Sequence, residues 1–336
     1  VKEKTMDEKN NVLEVSDLCV GYSTHEGTTK IVETASFTIR EGEVFCLVGE
    51  SGSGKSLTAL AIMGLLPEPL EVLSGSIRFR GTELTEMSDN DLRQIRGNDI
   101  AMVFQDPMTS LNPVKRVGSQ IGRAIRVHNP GVSRKKVRER VRDILVSMGI
   151  RDVDDRMRTY PHQWSGGMRQ RAVIGMATAN DPSVLLADEP TTALDVTVQA
   201  QVMETLSARH RETGAAMLMI THDLGLVAQV ADRVGVMYAG RLVETGSVWD
   251  IFDRASHPYT EGLLGSLLTS AKVGSEAYAI PGSPPAVDAR PQGCPFAPRC
   301  DSPLKDARCG AGRPVHVEVG MSHTAACVQL DEGAAA

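Results

Sequence analysis

The sequence predicts an α/β protein with a largely parallel core sheet, a helical insertion and a small cysteine-rich C-terminal module. Three observations carry this. A short, wholly apolar run at 44–48 leads directly into a glycine-rich stretch and then a helical pattern. Further apolar runs alternate with amphipathic helical patterns along the chain. Four of the six cysteines fall between positions 294 and 327 of the 336 residues.

In chain order, residues 1–11 read as a disordered lead-in and 13–20 as a first strand. A polar, glycine-containing hairpin region leads to a second strand at 35–39. The run 44–48 suits a strand buried on both faces. A helix over 56–66 stops before Pro67. Later strands are expected at 76–80, 100–104, 184–187, 217–220 and 233–237, with helices at 133–148, 167–179, 196–212 and 223–231. Between Gln105 and Ser165 helices occur without a convincing strand, so an insertion at about 106–165 is placed within a core domain at 12–265. Turn-rich, cysteine-bearing residues 266–336 form the separate module.

Composition excludes some functions. A net charge of -6 gives no reason to expect a nucleic-acid ligand, which demands clustered Lys and Arg. The basic stretch 133–142 carries Val137 and Val141, followed by Ile144 and Leu145, at helical spacing, so it reads as a solvated helix face. No apolar run approaches the roughly 18 residues a membrane span needs. The charged N-terminus does not suit a signal peptide. A cytosolic protein is therefore expected, reaching a membrane only through partners.

Gly49-Glu-Ser-Gly-Ser-Gly-Lys55-Ser56 fits the phosphate-loop pattern at every fixed position, after a buried strand and before a helix. Gly49, Ser51, Gly52, Ser53, Gly54 and Leu57 would offer backbone N–H groups to a triphosphate, the helix N-terminus adding positive potential. Lys55 would neutralise the β- and γ-phosphates, and Ser56 would ligate Mg²⁺. A second apolar strand ends in Asp188-Glu189. Asp188 is placed to hold Mg²⁺, and Glu189 to orient and polarise the attacking water. Alone, that Asp-Glu pair is a weak signal.

Trp164-Ser165-Gly166-Gly167-Met168-Arg169-Gln170-Arg171, about twenty residues before that strand end, resembles the signature motif of the ABC ATPase family. The resemblance implies a second anion site, with Ser165, Gly166, Gly167 and Gln170 closing over ATP held by an opposite subunit. Gln105 is similar to the family's Q-loop residue, implied to sense Mg²⁺ and the water. Asp195, in Ala193-Leu-Asp195, resembles the D-loop that contacts the partner. His222 is similar to the switch histidine, and Tyr22 to the aromatic that stacks on adenine. Leu57 stands where many relatives carry Thr. The resemblance covers about 12–265.

Asp106-Pro-Met-Thr-Ser-Leu-Asn-Pro113, His257-Pro-Tyr-Thr260 and the tail Gly293-Cys-Pro-Phe-Ala-Pro-Arg-Cys300 are similar to ATP-binding subunits of dipeptide and oligopeptide importers. That implies a second ATPase subunit, a different chain, together with two membrane permeases and an extracytoplasmic peptide-binding protein. It also implies residence at the cytoplasmic face of the membrane, with residues 105–130 docking the permease. Nickel and other small-solute importers are the alternative within the family. A non-transport ABC ATPase would show two cassettes or a long coiled-coil insertion, and a metal- or redox-sensing regulator would not need both Glu189 and His222.

Cys19 and Cys46 lie in apolar strands and read as core thiols. Cys294, Cys300, Cys309 and Cys327 suggest a metal site in a segment too short to build a core alone. Their spacing is not a zinc-ribbon pattern. The importer resemblance implies a 4Fe-4S cluster, although the gap between Cys300 and Cys309 is longer than in relatives. Zinc and unmetallated thiols remain alternatives.

Overall fold

A computed structural model describes residues 11–25, 27–192, 194–266 and 279–330, without the side chains of Pro107 and Met108. The lead-in expected at 1–11 lies outside these residues except for Asn11, which begins the first strand. Ala193 of the D-loop and 267–278 of the C-terminal module also lie outside them. The chain divides into two compact units, Val1–Leu13 with Ile39–Glu43 and Glu86–Met219, and Glu14–Thr38 with Val44–Thr85 and Ile220–Ala336.

The unit bearing the phosphate loop has two sheet portions. Strands β1 (Asn11–Thr24) and β2 (Gly27–Arg40) join β4 (Glu71–Phe79) and β5 (Thr82–Glu83) in the order β2-β1-β4-β5. The second portion centres on β3 (Val44–Val48), whose five residues are all buried, as a continuously apolar strand requires. Strand β9 (Arg233–Tyr238) runs parallel to it, Phe45 opposite Arg233 through Val48 opposite Val236. Strand β10 (Arg241–Ser247) returns antiparallel, then β12 (His323–Ala325) and β11 (Val317–Gly320) extend the ladder. Helices α1 (Lys55–Ile62), α9 (Leu224–Val230), α10 (Val248–Asp253), α11 (Pro258–Gly265) and α12 (Arg308–Ala311) complete the unit.

Sequence reading finds no strand after residue 237, and the reason is a buried charge. Glu244 on β10 is 0% exposed and breaks the apolar pattern. It is tolerated because its carboxylate accepts the N–H groups of Ser256 at 2.7 Å and His257 at 3.0 Å, and pairs with His323 Nε2 at 2.8 Å. His323 comes from β12. The C-terminal residues are thus built into the phosphate-loop unit by a ladder and a buried polar knot.

The other unit contains β6 (Ile100–Val103), β7 (Val184–Asp188) and β8 (Ala216–Ile220), which runs to the unit's edge; β6 and β7 pair in parallel. Around them lie α2 (Asp89–Ile95), α3 (Pro107–Ser110), α4 (Val117–His128), α5 (Arg134–Ser147), α6 (Val153–Arg156), α7 (Gly166–Ala177) and α8 (Val196–Thr213). Helix α5 starts at Ser133, whose hydroxyl accepts the N–H of Lys136. It buries Val137, Val141, Ile144 and Leu145, each worth about 1.5–3 kcal/mol when fully buried. Its basic residues stay on the solvated face. No helix among the described residues is long and apolar enough to cross a membrane.

Candidate active site

The phosphate loop leaves β3 at Gly49 and enters α1 at Lys55. Gly49 has φ 146, and a Cβ there would meet the carbonyl oxygen of Met237 at 2.0 Å, so only glycine lets the loop leave the sheet. Lys55 is 6% exposed. Its ammonium folds into the loop, donating to the carbonyl oxygens of Gly49 at 2.8 Å and Glu50 at 2.9 Å and to Ser53 Oγ at 3.2 Å. Three oxygens around one cation hold the loop in a ring, and the same cation is the natural partner of a phosphate. Ser51 and Gly52 are exposed, Ser53 and Gly54 buried, Ser56 and Leu57 half-buried.

Glu50, which sequence reading passes over, is the best-anchored residue of the loop. Its N–H donates to the Tyr259 hydroxyl at 2.9 Å, and its carboxylate receives both terminal nitrogens of Arg299, at 2.6 and 3.0 Å. No sequence signal links positions 50 and 299. A cavity of about 330 Å³ opens beside the loop, lined by Gly49, Glu50, His222, Leu224, Leu263, Ser266 and Ile280. His222 is exposed at its edge, and Tyr22 is half-buried on β1.

The second set of residues gathers at the end of β7. Asp188 is 5% exposed, and Glu189 follows at φ 45. That backbone costs a non-glycine residue about 1–3 kcal/mol and persists only where surrounding contacts impose it. Here Gln105 Nε2 donates to Glu189 Oε2 at 2.9 Å, and Thr192 Oγ1 donates to the same oxygen at 2.8 Å. Thr192 lies one turn beyond Glu189, a spacing that could have singled it out. The carboxylate is half-buried and aimed by two donors, the arrangement a water-polarising base needs.

Ser165 caps α7, its oxygen accepting the N–H of Met168 at 3.3 Å, and it stays exposed. Gly167 brings α7 against α8, since a Cβ there would meet Val198 Cγ1 at 2.3 Å. Gly166 is half-buried at the first helical position. Gln170 does not share Ser165's outward placement. It is 1% exposed and donates to the Pro190 carbonyl at 2.6 Å, tying α7 to the turn after Glu189. In this structure Gln170 couples the signature helix to the carboxylate turn instead of facing another molecule. Asp195 is exposed and caps α8 through the N–H of Val198 at 3.0 Å.

The four tail cysteines draw together without forming a ligand set. Cys294 donates its backbone N–H to the Cys309 carbonyl at 2.9 Å. Burial pushes the Cys327 thiol up to about 11 and raises Cys294 and Cys300, with the neighbouring thiols adding to each shift. All six cysteines are free of disulfides. Among the described residues no group of three or more His, Cys, Asp or Glu side chains is arranged to hold a metal ion. The metal site expected from the sequence is thus not assembled among the described residues: Cys294, Cys309 and Cys327 are buried and Cys300 is half-buried.

Comparison with known proteins agrees with this geometry. Residues 32–192 match the model of the ABC transporter family, and 243–309 match the oligopeptide/dipeptide transporter C-terminal region. The dipeptide transport ATP-binding protein DppD of Bacillus subtilis is 48% identical over 96% of this chain and 96% of its own length. The chain belongs to the ABC transporter ATP-binding family. The oligopeptide transport ATP-binding protein OppD of Mycobacterium tuberculosis is 49% identical over 95% of this ABC chain, which spans only 52% of that relative's length. A dimeric ATP-binding cassette solved in a post-hydrolysis state with ADP and Pi superposes with a TM-score of 0.63 at 25% identity, over 70% of this chain and 98% of that one. The ABC ATPase fold read from the sequence thus stands, and the cysteine-bearing tail falls partly within the matched oligopeptide/dipeptide transporter C-terminal region.

Proposed function

We propose that this chain is the ATP-hydrolysing subunit of an importer of dipeptides or oligopeptides, acting at the cytoplasmic face of a membrane. The observation that carries the reading is the full-length similarity to a dipeptide transport ATP-binding protein, extending through the C-terminal region. In this reading the phosphate loop and the Gln105–Glu189 pair both take part in ATP turnover. Lys55 and the loop N–H groups bind the triphosphate, and Tyr22 stacks on the adenine. Glu189, aimed by Gln105 and Thr192, takes up the proton of the attacking water, and His222 contacts the γ-phosphate.

Ser56, Asp188 and Gln105 would hold Mg²⁺, and their all-oxygen donor set suits a hard cation. When bound, the ion neutralises phosphate charge. A second ATPase subunit, read as a different chain, presents its Ser165, Gly166 and Gly167 counterparts to this nucleotide. Asp195 meets that subunit. Two permeases dock on 105–130, where Val114 is 78% exposed, and an extracytoplasmic binding protein delivers the peptide.

Reconstitution with its permeases in proteoliposomes tests the reading. ATP-dependent peptide accumulation that disappears in K55A is expected. ATP turnover without peptide uptake, coupled instead to nickel, would redirect the substrate assignment. Charge reversals across 105–130 should uncouple hydrolysis from uptake.

The mutual proximity of the tail thiols supports a second, narrower reading, a 4Fe-4S or zinc site assembled after rearrangement of Cys294, Cys300, Cys309 and Cys327. Iron, sulfide and zinc analysis of anaerobically purified protein decides it. A metal content near zero removes it.

A further inference from the structure

The C-terminal tail reaches the phosphate loop through one buried side chain. Arg299 is 6% exposed, and every terminal nitrogen is engaged. Its Nη1 and Nη2 clasp the two carboxylate oxygens of Glu50 at 2.6 and 3.0 Å; Nη1 also reaches the Tyr238 hydroxyl at 3.3 Å, and Nε donates to the Pro281 carbonyl at 2.8 Å. A fork on a carboxylate fixes orientation as well as distance. A tight turn over Ala297–Arg299 aims the guanidinium, with Arg299 N–H donating to the Phe296 carbonyl at 2.9 Å. Phe296, 1% exposed, packs its ring 5.3 Å from those of both Tyr238 and Tyr259.

The contact continues into the binding machinery. Glu50, held by Arg299 at its carboxylate and by Tyr259 at its N–H, presents its carbonyl to Lys55 Nζ at 2.9 Å and to the Ser53 N–H at 3.3 Å. The corner on which the phosphate-binding lysine hangs is therefore fixed from the tail. A second consequence is electrostatic. Without Arg299, the Glu50 carboxylate would be an uncompensated anion in a loop that must receive a polyanion.

We propose that Arg299 is a positioning residue for nucleotide binding: through its fork on Glu50 it holds the phosphate loop in its receptive form and cancels the loop's own negative charge. Arg299 does this from outside the loop and takes no part in the chemical step. The inference rests on the phosphate-loop reading above, and the test separates the two.

Equilibrium binding of a fluorescent ATP analogue to the full chain, with turnover measured at saturating ATP, compares R299Q, R299K, E50Q, R299Q/E50Q and K55A. R299Q should weaken binding about tenfold, with turnover at saturation near the parent's, and R299K should recover part of the loss. E50Q removes the anion together with its partner's need, so it should weaken binding only about twofold, and the double variant should match E50Q. Parental affinity in R299Q, or single effects that multiply in the double variant, would overturn the proposal while K55A still abolishes binding. Should R299Q fail to fold, parental affinity in both R299K and E50Q overturns it equally. Undiminished binding by K55A would instead bring down the phosphate-loop reading beneath it.

Discussion

Gln105 Nε2 stands 2.9 Å from Glu189 Oε2, a hydrogen bond between residues 84 positions apart that aims the carboxylate at the end of β7. E189Q keeps the shape and removes the base. Phosphate release should fall at least about 100-fold while ATP remains bound. Turnover at the parent rate would remove Glu189 from the chemistry. T192V, which deletes the second donor, should lower turnover by a smaller factor.

Glu244 offers a test of the knot that ties β10 to the tail. E244A leaves one buried and one half-buried N–H group and His323 without their acceptor, and should cost about 3 kcal/mol. Thermal unfolding monitored by circular dichroism should show a clearly lowered Tm. A substitution that left Tm unchanged would mean that water replaces the carboxylate at little cost.

His257 is expected to contribute to acid sensitivity. Burial, aided by His316, lowers its pKa from 6.5 to about 3. The folded chain therefore keeps it neutral where the unfolded chain takes up a proton. The stability difference is absent above about pH 6.5 and grows as pH falls from there toward 3, reaching about 2 kcal/mol at pH 5. Its Nδ1 accepts the Tyr259 N–H at 3.0 Å, a contact that Asn is able to supply. H257N should flatten the loss of Tm between pH 7 and 5 relative to the parent; parallel profiles would exclude His257 as the cause.

Thiol labelling ranks the cysteines. Cys46 is fully buried, and burial raises its pKa, with Asp232 adding to the shift. Cys300 is half-buried. Brief alkylation of the native chain, read by peptide mass spectrometry, should modify Cys300 before the other tail thiols and leave Cys46 untouched. Protection of all four tail thiols, lost on chelation, would favour the metal-bearing reading.

The phosphate loop is the clearest feature of the sequence because its chemistry is local. Gly49, Lys55 and Ser56 are fixed by one turn between one strand and one helix, and β3 occupies the predicted span. Helices α5 and α8 fall within a residue or so of expectation for a similar reason, a hydroxyl or carboxylate cap in front of an amphipathic run. Strand β1 runs four residues past its predicted end, through polar positions that side-chain pattern alone assigns to a turn. Strand β10 escapes because Glu244 is acceptable only beside Ser256, His257 and His323, contacts that sequence order hides. Arg299 escapes likewise, since its partner lies 249 positions away. The outward placement of Gln170 implied by resemblance gives way to packing against Pro190.

The pairing of β12 with β10 has a consequence for biosynthesis. Glu244 meets His323 across 79 residues, and the ladder to which both belong also carries the strand behind the phosphate loop. During translation that ladder stays unfinished until His323–Ala325 has emerged from the ribosome, long after Lys55 has been made. Nascent chains arrested short of that point should be more easily digested by protease than the finished chain, and should retain less nucleotide.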